Sequence, residues 1–143
     1  MDKKIVIGYT TGVFDMFHVG HLNILEKAKQ QCDYLIVGVT TDQLCIERKH
    51  KRPIICQEDR KAIVRSIKYV DLVVDQENMD KISAFYKYHF DCVFVGSDWE
   101  NTPEWIEYQK RFNEVGVQVV FLPHTDGISS TILRKKISLE KMD

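Results

Sequence analysis

Short apolar runs recur along the chain, separated by stretches whose apolar residues return at helical spacing. The runs are KIVIGY (4–9), YLIVGVT (34–40), DLVVD (71–75), DCVFVG (91–96) and VQVVFL (117–122). They are rich in Val, Ile and Phe and barely alternate with polar residues. Strands buried on both faces of a helix-covered parallel sheet have this composition. The intervening stretches predict helices over 18–32, 57–70, 78–90, 102–116 and 127–142. The first puts Leu22, Leu25, Ala28 and Lys29 roughly on one face; the second carries Ile63, Ile67 and Val70. The fourth has Thr102 to cap it, Pro103 at its first position and Gly116 to close it. The last has Ser129 or Ser130 near its cap. The segment 43–57 is predicted to be irregular.

Strand and helix in alternation imply right-handed crossovers. The expected fold is therefore α/β: a Rossmann-like doubly wound sheet of about five parallel strands with helices on both faces. The 143 residues suit a single domain over 1–143, and 44% hydrophobic content suffices for its core. The net charge of −1 points to neither nucleic acid nor a membrane surface as partner. No apolar run reaches membrane-spanning length. The N-terminus MDKKIVIGYT is too polar and too short in its apolar part for a secretory signal, so a cytoplasmic setting is expected. Cys32, Cys45, Cys56 and Cys92 form no CxxC pair and read as reduced structural thiols. Charge concentrates between Glu47 and Arg52, four cations and one anion, a local +3.

Candidate chemistry gathers in TGVFDMFHVGH (11–21), where the first strand runs into the first helix. Ligands of open α/β sheets bind at the carboxyl ends of strands, and a helix start offers unpaired N–H groups and partial positive charge to an anion. Gly12 permits a tight turn, and Gly20 permits close approach of backbone to ligand or sheet. His18 and His21, three apart, share a helix face or its entry turn and can donate to phosphate oxygens. A pair at this spacing also suits a metal, with Asp15 the only further ligand nearby, or can be ordinary surface histidines. Neither GxxxxGK[ST] nor GxGxxG is present.

GVFDMFHVGH resembles the GxFDxxHxGH signature of the cytidylyltransferases, within the HxGH nucleotidyltransferase superfamily. HTDGISST (124–131) resembles the second signature of that family, RTEGISTT, and GSDWE (96–100) resembles the GDDWEG of its small glycerol-phosphate branch. The resemblance covers nearly the whole chain. It implies attack of a phosphomonoester on the α-phosphorus of CTP, release of pyrophosphate, and magnesium bound with CTP. A phosphomonoester is already anionic at neutral pH, its second pKa being ~6, so no protein nucleophile is needed. The protein must align two polyanions and stabilise charge on the α-phosphate and the leaving group.

By the same resemblance His18, His21 and Lys49 are the catalytic groups. Gly12, Val13, Phe14, Asp15, Gly20, Lys51, Asp98, His124, Thr125, Gly127, Ile128, Ser129, Ser130 and Thr131 are expected to hold the nucleotide. Asp42, Lys49, Arg60, Lys68, Lys81 and Trp99 are expected around the acceptor, with Lys81 at its phosphate. No residue is assigned to a protein-bound metal. His124 stands where the family carries arginine, so an imidazole titrating near ~6.5 replaces an always-charged fork, and a steeper loss of rate between pH 6 and 8 is expected; Asp126 replaces glutamate. The implied partners are CTP and a phospho-alcohol, foremost glycerol 3-phosphate, whose CDP-glycerol feeds teichoic-acid or capsular polysaccharide synthesis. A homodimer packed near the second strand and the HxGH helix is also implied. Ribitol, choline or ethanolamine phosphate as acceptor, adenylyl transfer to a sugar phosphate, and a nucleotide-binding module without turnover are the alternatives.

Overall fold

The computed structural model describes residues 4–123 and 130–141. Its strands are β1 (Ile7–Gly12), β2 (Tyr34–Thr40), β3 (Leu72–Gln76), β4 (Cys92–Gly96) and β5 (Gln118–Leu122). Its α-helices are α1 (Val19–Gln30), α2 (Asp42–Lys49), α3 (Gln57–Arg65), α4 (Lys81–Tyr88), α5 (Pro103–Glu114) and α6 (Ser130–Lys141). The five strands form one parallel sheet in the order β3-β2-β1-β4-β5, the doubly wound topology expected from the pattern.

Both faces are covered, which explains the unbroken apolar runs. Leu35, Val37 and Val39 of β2 point into a core shared with Leu25 and Ala28 of α1 and Val64 of α3. Ile36, from the same strand, points into an opposite core with Trp105 and Phe112 of α5. β4 divides likewise, Cys92 and Phe94 on one side and Val93 on the other. Burying a Leu, Val or Phe side chain contributes roughly 1.5–3 kcal/mol, so a polar substitution at either set of positions is costly.

Two local expectations change. Part of the segment expected to be irregular is helix α2, whose N-cap Thr41 accepts from the Leu44 N–H and whose C-cap His50 is left-handed at φ 56°. Its low apolar content hid it: only Leu44 and Cys45 are buried. The helix expected over 57–70 ends at Arg65 and buries Arg60 and Val64, while Ile63 is exposed. Ile67 and Val70 pack against the core from the turns that follow. In α5 the Thr102 cap and Pro103 are as expected.

The sheet positions a ligand crevice through its register. β1 pairs with β2 along its whole length, from Ile7–Tyr34 to Gly12–Val39. With β4 it pairs only at Gly8–Cys92 and Tyr9–Val93. Beyond that, the Thr10 hydroxyl donates to the Phe94 carbonyl at 3.0 Å in place of the backbone ladder. The strands thus part at their carboxyl ends, at the point where the strand order reverses.

Candidate active site

A cavity of about 330 Å³ occupies this opening. Gly12, Val13 and Phe14 from the end of β1, His21 from α1, Arg48 and Lys49 from α2, Lys81 from α4 and Trp99 line it. The loop entering α1 is bent to reach it: Phe14 and Met16 lie in the left-handed region, at φ 55° and 49°. Non-glycine residues there cost on the order of 1 kcal/mol each and persist only when held. Phe14 is held by burial of its ring, and a Cβ on Gly12 would press that ring at 3.0 Å. Asp15, between them, is 2% exposed and accepts the N–H groups of Ile54 and Ile55 at 2.9 Å each.

The two histidines build one unit. His18 is the N-cap of α1, its Nδ1 accepting the Gly20 N–H at 3.0 Å. His21 Nδ1 accepts the His18 N–H at 3.2 Å, which closes a capping box. With both Nδ1 atoms accepting, each neutral ring carries its proton on Nε2. The rings stack with centroids 3.9 Å apart, and Phe14 and Phe17 flank His21 at 5.3 Å. Burial, then the neighbouring His18, pushes the His21 pKa down to about 4 against the pull of Asp15. At pH 7 the His21 ring of the free protein is therefore neutral, not a cation.

Lys81 is the buried cation. It is 8% exposed, its Nζ donates to Thr11 Oγ1 at 3.1 Å, and it lies 5.8 Å from the centre of the Trp105 ring. Burial pushes its ammonium down to about 8, opposed by the Glu104 carboxylate and assisted by Arg48.

Other expected residues lie elsewhere. Arg60 is not on a charged face towards ligand but fully buried. Its guanidinium donates to the carbonyls of Ile55 (2.8 Å), Val13 (2.7 Å) and Thr40 (2.8 Å) and pairs with Asp42 at 2.5 Å. It ties the carboxyl ends of β1 and β2 to the start of α2. Asp42 also accepts the Gln57 N–H, so both belong to the scaffold beneath the site. Lys68 is exposed, its Nζ 5.2 Å from the Tyr69 ring centre. It precedes β3 and thus sits at the amino end of the sheet, away from the cavity.

Asp15 acts as an anchor: burial pushes its carboxyl up, but the Ile54 and Ile55 amides and Arg134 of α6 outweigh this and hold it below the usual range. Gly20 lies buried in the first turn of α1 with its N–H on His18. Lys51 lines a second concavity with Arg52 and Arg134 rather than the main one. Asp98 is exposed in a short 3₁₀ turn, Ser97–Trp99, and Thr131 is exposed in the first turn of α6. Ser130 begins α6. His124, Thr125, Asp126, Gly127, Ile128 and Ser129 lie outside the described residues.

Gln76, Met79, Glu104 and Trp105 also line the cavity, although no motif marks them. Gln76 is the last residue of β3, so the rule that ligands sit at strand carboxyl ends could have found it. Arg134 had no such signal, because its pairing with Asp15 spans 119 residues. Among the described residues no three of His, Cys, Asp and Glu converge on a metal position.

The chain matches the family model described as Cytidylyltransferase-like over residues 9–136. It is 38% identical over 137 residues to the glycerol-3-phosphate cytidylyltransferase of Bacillus spizizenii, covering 95% of this chain and 98% of that one. It is 33% identical to the enzyme of the same name from Staphylococcus aureus, covering 94% and 95% respectively. Among solved structures, the lipopolysaccharide core biosynthesis protein from Thermoplasma volcanium superposes with a TM-score of 0.70 at 25% identity, covering 85% of this chain and 98% of that one.

Proposed function

This chain belongs to the cytidylyltransferase-like family, and from that premise we propose that it transfers CMP from CTP to glycerol 3-phosphate, giving CDP-glycerol and pyrophosphate. The observation that carries the reading is one cavity at the strand switch point that holds both a neutral imidazole donor, His21, and a buried cation, Lys81.

A phosphate oxygen of the acceptor attacks the α-phosphorus of CTP. A new P–O bond forms there, the bond to the bridging oxygen breaks, and pyrophosphate leaves with the electron pair. Lys81 holds the acceptor phosphate. His21 donates its Nε2 proton to the nucleotide phosphates, and His18, stacked on it, holds it through the capping box. Lys49 and Arg48 bring charge from the end of α2. Magnesium bound with CTP would supply charge neutralisation on the phosphates. Relatives named for this acceptor match over nearly their whole length, which supports glycerol 3-phosphate. The reading extends to a cytoplasmic homodimer whose product feeds teichoic-acid or capsular polysaccharide assembly. No helix among the described residues is long and apolar enough to cross a membrane.

The test is pyrophosphate release with CTP or ATP against glycerol 3-phosphate, ribitol 5-phosphate, choline phosphate, ethanolamine phosphate and heptose 1-phosphate. Turnover confined to CTP with glycerol 3-phosphate is expected. Turnover with a different acceptor alone overturns the acceptor, and CTP binding without turnover overturns the enzyme.

Lys81 makes a second prediction. Its ammonium titrates at about 8 in the free protein, and only the charged form attracts a phosphate. The Lys81 contribution to acceptor kcat/KM is therefore steady below pH 8 and falls about tenfold per unit above it. Lys81→Met raises acceptor KM by ~10–100-fold, the loss of one charge-assisted hydrogen bond. A flat profile from pH 7 to 9.5 in the wild type sinks this assignment.

A further inference from the structure

We propose that Gln76 sets acceptor selectivity: its carboxamide donates to a hydroxyl of a neutral phospho-polyol whose phosphate rests on Lys81. This deepens the reading above and rests on it.

Gln76 is 7% exposed and lines the cavity at the end of β3. Its register partner Thr40, also 7% exposed, donates from Oγ1 to Gln76 Oε1 at 2.7 Å. In this arrangement Oε1 rests on Thr40 and Nε2 is turned to Met79. Among the described residues the amide nitrogen finds only the Met79 thioether, at 3.7 Å. A carboxamide nitrogen carries two hydrogens, and sulfur is a weak acceptor. A buried donor left short of an oxygen partner costs roughly 1–3 kcal/mol, which a ligand oxygen recovers on binding.

Gln76 at the end of β3, Met79, and Lys81 at the start of α4 line one and the same cavity, so a ligand seated on Lys81 shares that space with Gln76. Charge decides the ligand class. An ammonium-bearing acceptor would set its cation against an amide donor, with Lys81 and Arg48 close by. A hydroxyl meets no such repulsion. Glu104 is the opposing influence, a carboxylate on the same cavity, but it is exposed and screened.

The chain has 2 tryptophans, Trp99 and Trp105, and both line the cavity. Intrinsic fluorescence therefore reports binding there whether or not turnover follows. Glycerol 3-phosphate and ethanolamine phosphate are titrated, with a non-hydrolysable CTP analogue present, into the wild type, Gln76→Glu, Gln76→Met and Glu104→Gln; kcat/KM is measured in parallel. Gln76→Glu is expected to weaken glycerol 3-phosphate about tenfold and to move the ratio of the two affinities towards ethanolamine phosphate. KM for CTP should stay unchanged. Gln76→Met keeps the volume without charge, and should weaken glycerol 3-phosphate alone by about fivefold. Glu104→Gln should leave the ratio in place.

An unchanged ratio in both Gln76 variants overturns the proposal, as does a ratio that moves with Glu104 and not Gln76. A wild type that prefers ethanolamine phosphate, with a ratio that still moves at Gln76, overturns glycerol 3-phosphate as acceptor and sustains Gln76 as its reader. Turnover of glycerol 3-phosphate with acceptor affinity indifferent to Gln76 does the reverse.

Discussion

His21→Ala lowers kcat by about 10²–10³-fold, the usual consequence of removing one preorganised donor from a developing charge. The donor is neutral, so its effect does not follow an imidazole titration between pH 6 and 8. Stability does follow one. The His21 pKa is pushed down from 6.5 to about 4 in the fold by burial and by His18. Between those values the unfolded chain binds a proton that the folded chain refuses. Stability is therefore undiminished above pH ~6.5 and declines as pH falls towards 4. Denaturant midpoints for wild type and variant at pH 7 and pH 5 check this. The wild type should lose more stability between the two pH values than His21→Ala does. Equal losses would mean that His21 is not held neutral. The variant also loses the capping box, at about 1 kcal/mol, which is the same at both pH values and cancels in the comparison.

Arg60→Leu destabilises the protein by about 3–5 kcal/mol, the usual cost of removing one partner from a buried ion pair. The side chain is fully enclosed, and three carbonyls and the Asp42 carboxylate share its donors. Leucine fills part of the volume but leaves those acceptors without their donor. Arg60→Lys rescues little, because an ammonium cannot span the fork that serves Val13, Thr40 and Asp42. Pairing Arg60→Leu with Asp42→Asn recovers part of the loss, since the stranded charge is gone. Urea unfolding of the single and double variants measures each term. A stable Arg60→Leu protein with only a raised acceptor KM would return Arg60 to the ligand. Lys68→Ala, at the opposite end of the sheet, is expected to change neither quantity.

Arg60 and Lys68 looked alike in the sequence, both basic residues in one predicted helix. Nothing local separates them. Arg60 comes one turn before Val64, on the face that α3 turns to the core, and close to the strand ends where carbonyls await a donor. Lys68 follows the helix and starts the turn back into β3. Register against the sheet, a tertiary property, decides that one is buried structure and the other a solvated cation. Helix α2 was obscured for a related reason: its run of charges is spent on the cavity and on solvent, leaving little amphipathic pattern to detect.

What the sequence determined by itself is whatever short-range chemistry encodes. The five strands follow from apolar runs that must be covered on both faces. The crossover order follows from their alternation with helices, and the first cradle follows from HVGH placed where a strand gives way to a helix start. What only the tertiary structure decided are the properties that depend on distant neighbours. Burial makes His21 a neutral donor and makes Lys81 a weakened cation. Asp15 holds Ile54 and Ile55 from 39 and 40 residues away. Gln76 acquires its partner because β3 lies in register with β2 and brings Thr40 opposite it. The protonation and the free valence of a side chain depend on what surrounds it, and in a parallel sheet those surroundings come from remote segments of the chain.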